Sequence, residues 1–213
     1  MTNLYNIQQF SATDALVKSR DIKYQGFFRI DQYQIQHRLF NGGWSNEFSR
    51  EIFERGDAVV LIPYDPVLDK VVLIEQFRAG AIRASKSPWM LEFIAGMFGE
   101  NESPVDVAIR EAEEEAKLLI DKDNVQHVMN FLSTPGGCSE KLFMYLAIID
   151  ASELSSGEVA GLEYENEDIL SHVVSRQQAL DWLAQGKIEN ASTIIGLQWL
   201  AMNYQRLVKE QIK

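Results

Sequence analysis

The chain has 213 residues, 46% of them apolar, which is enough for one substantial hydrophobic core with a small accessory domain and excludes a disordered chain. Acidic residues outnumber basic ones by 31 to 20, and the net charge of −11 disfavours nucleic-acid backbones and anionic membranes as partners. A ligand that carries phosphate would therefore need local positive charge, from a metal ion or from arginines, in order to bind.

The cysteine content and the first residues bear on the cellular compartment. Cys138 is the only cysteine, which excludes an internal disulfide and fits a reducing environment. The first residues lack the basic and apolar regions of a signal peptide, and no apolar run is long enough to cross a bilayer. We therefore expect a cytoplasmic protein.

The N-terminal part of the chain predicts a small β domain. Residues 23–39 alternate between apolar and polar side chains, which is typical of a strand, and residues 48–53 predict another. The Asn-Gly-Gly sequence at 41–43 predicts the turn between them. This part has too little apolar surface for its own core, so we expect it to pack against the main domain or a second copy of the chain. The predicted domains are residues 1–54 and 55–213.

The larger domain contains the apolar runs expected of a buried sheet, at residues 58–63, 71–77, 91–95, 125–132, 143–149 and 172–174. Ser175 begins a capping box that opens a helix, Gly186 closes it, and a final helix follows Asn190. The loop at 133–140 is rich in Gly and Pro. It serves either as a tight turn or as a place where backbone comes close to a sugar or phosphate.

An acidic helix follows the strand at 91–95. Ser103 and Pro104 suit a helix start, and Glu111 and Glu115 lie one turn apart, with Glu114 close by. These carboxylates flank an apolar face made of Val105, Ala108, Ile109, Ala112, Ala116 and Leu119. Because the carboxylates repel one another, the pattern indicates a cation among them, and Mg²⁺ is the natural candidate. The alternative is a solvated acidic face.

The spacing of these residues resembles the Nudix box, G-x5-E-x7-R-E-U-x-E-E-x-G-U, in which U is a bulky apolar residue. The matching residues are Gly96, Glu102, Arg110, Glu111, Glu114, Glu115 and Leu118. Two positions depart from the motif: Ala112 is small, and Lys117 replaces the last Gly, which normally allows a left-handed turn. We therefore expect the helix to continue past Lys117, which leaves the ligands untouched.

Further segments extend the resemblance over nearly the whole length, to the bacterial ADP-ribose diphosphatase branch of the Nudix hydrolases. They are GFF at 26–28, HRLFNG at 37–42, REIFERG at 50–56, VVLIEQFR at 71–78, STPGG at 133–137, ENED at 165–168 and GLQWL at 196–200. The resemblance implies an α+β or α/β Nudix fold, with mixed β-sheets sandwiched between helices. It also implies that the N-terminal β domain is used in dimerisation.

The activity that the resemblance implies is Mg²⁺-dependent hydrolysis of ADP-ribose to AMP and ribose 5-phosphate, with Mn²⁺ as a substitute ion. The implied metal ligands are the Ala95 carbonyl, Glu111, Glu115 and Glu167. Glu165 would be the general base, which is chemically coherent because a carboxylate can take a proton from a metal-bound water. Arg110 and Glu114, with Glu102, would orient the ligands.

The resemblance also implies a set of substrate-binding residues: Phe27, Phe28, Arg50, Glu51, Arg55, Arg78, Met97, Thr134 and Glu140. An aromatic ring can stack on adenine, and Arg can grip phosphate with two bonds. In the family the two Phe residues come from the neighbouring subunit, so a homodimer is implied. The alternatives are ordinary apolar packing for Phe27 and Phe28, and surface ion pairs for Arg50 and Arg55.

Two other functions compete with this hydrolase. One is a Nudix-fold sensor that binds ADP-ribose without cleaving it and controls a partner, although the box carboxylates that such proteins tend to lose are all present here. The other is a hydrolase of a different nucleotide sugar, such as ADP-glucose or GDP-mannose.

Overall fold

The computed structural model describes residues 7–211, and its contacts divide the chain into two units. Among the described residues, the first comprises the chain as far as Arg55 together with Thr134–Glu140, and the second comprises Gly56–Ser133 and the chain from Lys141 onward. The sequence analysis placed Thr134–Glu140 in the larger domain. The structure groups it with the N-terminal unit because its backbone pairs with a strand there.

A three-stranded antiparallel sheet forms the first unit. Its strands are β1 (Ala15–Gln25), β2 (Arg29–His37) and β3 (Phe48–Glu54), in that order across the sheet. The single strand predicted at 23–39 is wrong, because the chain reverses direction between β1 and β2. An alternating pattern continues through both strands and does not reveal such a tight turn.

A glycine lies in the turn between β1 and β2. The Gly26 amide donates to the Phe28 carbonyl at 2.9 Å, which closes the turn. A Cβ on Gly26 would lie 2.5 Å from the Tyr24 hydroxyl oxygen, so a side chain at position 26 would displace that ring.

The predicted strand at 48–53 is confirmed as β3.

The loop Thr134–Glu140 adds to the edge of β3. The Phe53 amide donates to the Gly137 carbonyl at 2.8 Å, and the Ser139 amide donates to the Phe53 carbonyl at 3.2 Å. Cys138 is buried beside this pairing. The loop backbone therefore pairs with the strand, and the predicted approach of the loop to a sugar or phosphate remains a prediction.

An eight-stranded mixed sheet forms the centre of the second unit. Its strands are β4 (Asp57–Asp65), β5 (Lys70–Phe77), β6 (Trp89–Glu92), β7 (Ile94–Phe98), β8 (Val125–Leu132), β9 (Lys141–Ile148), β10 (Val159–Ala160) and β11 (Ile169–Ser175). β4 and β9 are parallel, whereas the other pairs are antiparallel. The path runs β10-β11-β5-β4-β9-β8, with β6 on β5 and β7 on β4.

Helices cover both faces of this sheet. Val59 and Leu61 of β4 pack in one cluster with α1 (Pro104–Ala116), while Val60 and Ile62 pack in another with α2 (Arg176–Ala184) and α3 (Ala191–Gln211). Alternate residues of a buried strand serve the two faces, which explains its continuous apolar run. The predicted arrangement of a mixed sheet between helices is confirmed. Within residues 7–211, no helix combines the length and apolar character needed to span a membrane.

The end of α1 differs from the prediction. The helix ends at Ala116, and Lys117 adopts the left-handed conformation, with φ 54° and ψ 28°. The next amide, of Leu118, donates to the Ala112 carbonyl at 2.9 Å. This turn buries Leu118 in the core, at 6% exposure, and leaves Leu119 84% exposed instead of on the apolar face. Burial of Leu118 outweighs the strain at Lys117, which is about 1–2 kcal/mol.

We predict that Lys117→Gly stabilises the protein by about 1 kcal/mol, because glycine adopts a positive φ without a Cβ clash. Urea denaturation of the wild type and the variant measures the difference. Lys117→Ala is the matched control, since it removes the charge and keeps the Cβ. Equal stability of the Gly and Ala variants would contradict the assignment of strain to this residue.

Candidate active site

A carboxyl group at the end of α1 is buried against β7. Glu115 is 3% exposed, and its Oε2 accepts a hydrogen bond from the Ala95 amide at 3.1 Å. Burial raises the pKa of Glu115 to about 8, although the Ala95 hydrogen bond opposes the rise. Without a bound metal ion, this carboxyl therefore favours the protonated form at neutral pH.

A second carboxyl, of Glu111, occupies the space beside Gly96. A Cβ on Gly96 would lie 2.2 Å from Glu111 Oε1 and 2.3 Å from its Cδ, so any side chain there would expel the carboxyl. Burial raises the pKa of Glu111 as well, while the hydrogen bond from Arg110 opposes it. The first Gly of the box is therefore needed because a carboxylate rests against its backbone.

Arg110 holds the acidic groups around it in place. Its guanidinium contacts Glu102 at 3.0 Å, Glu111 at 3.1 Å and Glu114 at 3.9 Å. Glu102 also accepts from the Gly99 amide at 2.8 Å. That bond, and then the one from Arg110, lower the pKa of Glu102. Arg110 thus contacts both Glu102 and Glu111, and the predicted role of these contacts in orienting metal ligands remains a prediction.

The acidic loop before β11 lies against the same helix. The Gly161 amide donates to the Glu114 carbonyl at 3.1 Å, and Glu167 Oε2 accepts from the Leu162 amide at 3.2 Å. Burial is the main cause of the raised pKa of Glu111 and of Glu115, and the charge of Glu167 adds to both. Glu167 therefore lies within electrostatic reach of the two box carboxyls. Glu165 is exposed in a short 3-10 turn, Glu163–Glu165.

The donor atoms at this place suit a hard cation. Glu111, Glu115 and Glu167 supply oxygen only, which is the ligand type that Mg²⁺ takes. Across residues 7–211, no three His, Cys, Asp or Glu side chains stand close enough together to hold a metal ion. The residues fit a divalent ion in chemistry, and the side chains must draw closer to bind one. The role of these residues as metal ligands therefore remains a prediction.

A buried polar group that the sequence analysis missed lies beside this site. Glu92 is 3% exposed, and its Oε2 accepts from Arg78 Nε at 3.0 Å and forms an ion pair with Arg78 Nη2 at 2.8 Å. Gln76 Nε2 lies 3.4 Å from both Glu92 and Glu115. The signal was a carboxylate inside the apolar run at 91–95, because a charge in a buried strand needs a partner.

Four of the predicted substrate-binding residues come together in the first unit. Phe27 is 88% exposed and packs edge-on to Phe28, with ring centroids 4.8 Å apart. The Arg55 guanidinium lies 5.4 Å from the Phe28 ring centroid, and its Nε is 3.2 Å from Glu140 Oε1. An exposed ring beside a paired arginine is an arrangement that can receive a base and a phosphate.

The other predicted substrate residues are dispersed within their units. Arg50 lies over the Phe48 ring at 4.6 Å, and Glu51, the next residue of β3, points to the opposite face. Thr134 is exposed, and its carbonyl accepts from Cys138 at 3.0 Å. Met97 on β7 is 38% exposed. Each of these roles remains a prediction.

Comparison with known proteins assigns the chain to a family. The family model described as NUDIX domain matches residues 54–194, which is most of the chain, and the protein therefore belongs to the Nudix family. Members of this family generally need a divalent metal ion. The family prediction from the box is confirmed.

Individual relatives cover nearly the whole chain. The chain is 50% identical over 201 residues to the ADP-ribose pyrophosphatase of Escherichia coli (strain K12), with 94% of each chain covered. It is 42% identical over 204 residues to the ADP-ribose pyrophosphatase of Haemophilus influenzae, with 94% and 92% covered. A crystal structure described as an ADP compounds hydrolase has the same fold. Its TM-score is 0.63 at 17% identity, and 95% of this chain and 98% of that one are covered.

We predict that Gly96→Ala weakens divalent-metal binding by about tenfold or more without unfolding the protein, because the new methyl group displaces the Glu111 carboxyl. Calorimetric titration with Mn²⁺ measures the affinity. Gly99→Ala is the matched control, since its Cβ would meet Glu102 at an ordinary 3.6 Å. Equal metal affinity in the two variants would contradict the proposed role of Glu111.

We also predict that Glu115→Gln changes how stability depends on pH in the absence of metal. The folded pKa of about 8 lies above the ordinary 4.5, so the wild type loses stability as pH rises from 4.5 to 8. The upper bound of that loss is about 5 kcal/mol. Glutamine does not titrate, so the variant should be relatively more stable at pH 8.

Chemical denaturation at pH 5 and pH 8 in EDTA measures this difference. Adding Mg²⁺ at pH 8 should stabilise the wild type and leave the variant almost unchanged, because a bound ligand stabilises only the state that binds it. If the stability of the wild type and of Glu115→Gln depended on pH in the same way, burial would not raise the pKa of this carboxyl.

Proposed function

We propose that this protein is an enzyme that hydrolyses the diphosphate of ADP-ribose to AMP and ribose 5-phosphate, with Mg²⁺ as its metal ion. The observation that carries the proposal is the packing of two box carboxyls, Glu111 and Glu115, against β7 beside Gly96. The substrate is supported by two relatives named ADP-ribose pyrophosphatase that match almost the full length of the chain.

In the proposed mechanism, Glu111, Glu115, Glu167 and the Ala95 carbonyl hold the metal. A bound divalent cation supplies positive charge to the diphosphate oxygens and lowers the pKa of a coordinated water. Arg110 keeps Glu111 in position through the contact at 3.1 Å, and Glu102 and Glu114 keep Arg110 in position in turn. These contacts fix the direction of the ligands before the substrate arrives.

Glu165 is the proposed general base. It takes a proton from water as the water oxygen bonds to one phosphorus, and the bond from that phosphorus to the bridging oxygen breaks. Its exposed place on the turn Glu163–Glu165 gives it access to solvent water. The hydrogen bond between Gly161 and the Glu114 carbonyl holds the start of this loop against α1, which supports the proposal that Glu165 acts beside the ligands on that helix.

The proposed substrate contacts use the exposed aromatic pair and two arginines. Phe27 and Phe28 stack on adenine, and in the proposed homodimer they act on the site of the partner subunit. Arg55 and Arg78 contact the phosphates. The exposed strand β1, whose apolar side chains include Val17 at 59% and Ile22 at 60% exposure, supports burial of this unit against a second copy.

Glu111→Gln should lower kcat by orders of magnitude while the fold persists, because charge stabilisation of the transition state depends on the metal. Glu165→Gln should lower kcat by about 10²–10⁴-fold and leave metal binding unchanged, as expected for loss of a general base. Glu113→Gln is the control, since Glu113 is exposed on the same helix outside the site. An assay of AMP release with a metal titration measures all three.

A substrate panel tests the proposal against its alternatives. Purified protein should release AMP from ADP-ribose with a higher kcat/KM than from ADP-glucose, and GDP-mannose should be a poorer substrate. GDP-mannose belongs in the panel because the chain is 29% identical over 181 residues to the GDP-mannose pyrophosphatase of Yersinia pestis, with 84% and 88% covered. ADP-ribose binding without AMP release would indicate a sensor.

A further inference from the structure

The buried carboxylate of Glu92 has a separate partner on each oxygen. Oε1 accepts from the Asn190 side-chain amide at 2.9 Å, while Oε2 accepts from Arg78 Nε at 3.0 Å and forms an ion pair with Arg78 Nη2 at 2.8 Å. A buried carboxylate without such partners would be strongly unfavourable. Because both oxygens are used, Glu92 has one orientation, and it transmits that orientation to Arg78.

Asn190 is oriented by the start of α3. Its Oδ1 accepts from the Thr193 amide at 3.0 Å and from the hydroxyls of Ser192 at 2.6 Å and Thr193 at 3.1 Å. Asn190 therefore caps the helix with its oxygen, and its amide nitrogen faces Glu92. Aspartate would cap the helix equally well and would place a negative charge against Glu92. A change of Asn190 to Asp therefore disturbs the contact with Glu92 without removing the helix cap.

The same helix turn is attached to the strand that carries Glu92. Thr193 is fully buried, and its Oγ1 accepts from the Phe93 amide at 2.9 Å. Residues 190 and 193 of the first helical turn thus contact adjacent residues of the junction between β6 and β7. The start of α3 consequently fixes Glu92 in two ways: it contacts the Glu92 side chain and it contacts the backbone of the next residue.

One edge of the Arg78 guanidinium is left available. Nε and Nη2 both contact Glu92 Oε2, whereas Nη1 makes no hydrogen bond or ion pair with any residue in the range 7–211. The Arg78 side chain is 43% exposed. A guanidinium held at one edge and accessible at another can bind a phosphate oxygen with little loss of side-chain entropy.

We propose that Glu92, oriented by Asn190, is a positioning residue that presents the free edge of Arg78 to the diphosphate of the substrate. This inference rests on the proposed function, because that function makes the diphosphate the ligand of Arg78. It adds two residues, Glu92 and Asn190, that the Nudix box does not contain. In this proposal, Asn190 at the start of α3 contacts Glu92, Glu92 contacts Arg78, and Arg78 contacts the substrate.

Steady-state kinetics with ADP-ribose test the link. Asn190→Asp and Glu92→Gln should each raise KM by about 10-fold or more, the size expected for a lost charge-assisted hydrogen bond, with kcat changed less than about threefold. Asn190→Ser keeps the cap and loses the amide donor, so its effect should be smaller than that of Asn190→Asp. In an Arg78→Gln background, Glu92→Gln should add less than about twofold.

The control is another buried carboxylate of the same unit. Asp65 is 2% exposed and accepts from the amides of Val67, Leu68 and Ala151 at 2.8, 2.9 and 2.9 Å. Asp65→Asn should lower stability and leave KM unchanged, which separates a general folding defect from the proposed role. Near-UV circular dichroism confirms that each variant is folded. If Asn190→Asp does not fold, Asn190→Ser replaces it in the kinetic test.

A second readout does not depend on activity. In ¹⁵N NMR spectra, the Arg78 Nε–H signal, assigned by its loss in Arg78→Lys, should exchange slowly with water in the wild type. It should exchange at least about tenfold faster in Asn190→Asp and Glu92→Gln, because the hydrogen bond to Glu92 is weakened. Asp65→Asn should leave it unchanged.

The outcomes separate this inference from the proposed function. If the wild type releases no AMP, the proposed function fails, and the NMR exchange rates alone decide whether Glu92 holds Arg78. An unchanged KM together with an unchanged Arg78 signal would overturn the inference. A KM effect of Glu92→Gln that persists in full in the Arg78→Gln background would also overturn it, because Glu92 would then act by another route.

Discussion

The close packing of α1 against β7 is the constraint on which the rest of the site depends. It places the Glu111 carboxyl against the backbone of Gly96 and the Glu115 carboxyl on the Ala95 amide. Burial raises the pKa of both groups, and the charge of Glu111 raises the pKa of Glu115 further. The helix therefore carries an electrostatic penalty that a bound cation would remove, and metal binding gains from relieving it.

The other parts of the second unit support this packing. Gly161 has φ 100°, and a Cβ there would lie 2.8 Å from the Glu167 Cβ, so only glycine lets the chain return toward Glu167 at that point. The Gly161 amide then bonds to the Glu114 carbonyl on α1. On the sheet side, Thr193 and Asn190 attach α3 to the junction that leads into β7. The helix, the acidic loop and the junction are thus fixed by short backbone and side-chain hydrogen bonds.

The sequence predicted most of the second unit because its signals are local. Continuous apolar runs marked β4, β5, β8 and β9, and the box spacing marked α1 and its carboxyls. Two features of the chain escaped because they do not show in a local pattern. The turn at Gly26 interrupts an alternation that looks the same on both sides. The left-handed Lys117 depends on burial of Leu118, a tertiary gain that local propensity does not contain.

Glu92 escaped for a different reason, which is that its partners are distant in sequence. Arg78 lies 14 residues away and Asn190 lies 98 residues away. A single charged residue in an apolar run indicates that a buried partner exists, and the sequence does not identify it. The substrate residues were likewise named by resemblance alone, since spacing does not show that Arg55 lies over Phe28 while Arg50 lies over Phe48.

The pairing of the arginines clarifies how an acidic protein could bind an anionic diphosphate. Arg78 contacts Glu92, and Arg55 contacts Glu140, so each proposed phosphate ligand has a buried carboxylate beside it. Such pairs are close to neutral, and with a net charge of −11 they provide little long-range attraction for the substrate. The proposed role of the arginines is therefore to orient the diphosphate, because the carboxylates hold their side chains in one place. We propose that the attraction comes from metal ions held by the carboxyls of α1, so that metal binding and substrate binding would depend on each other.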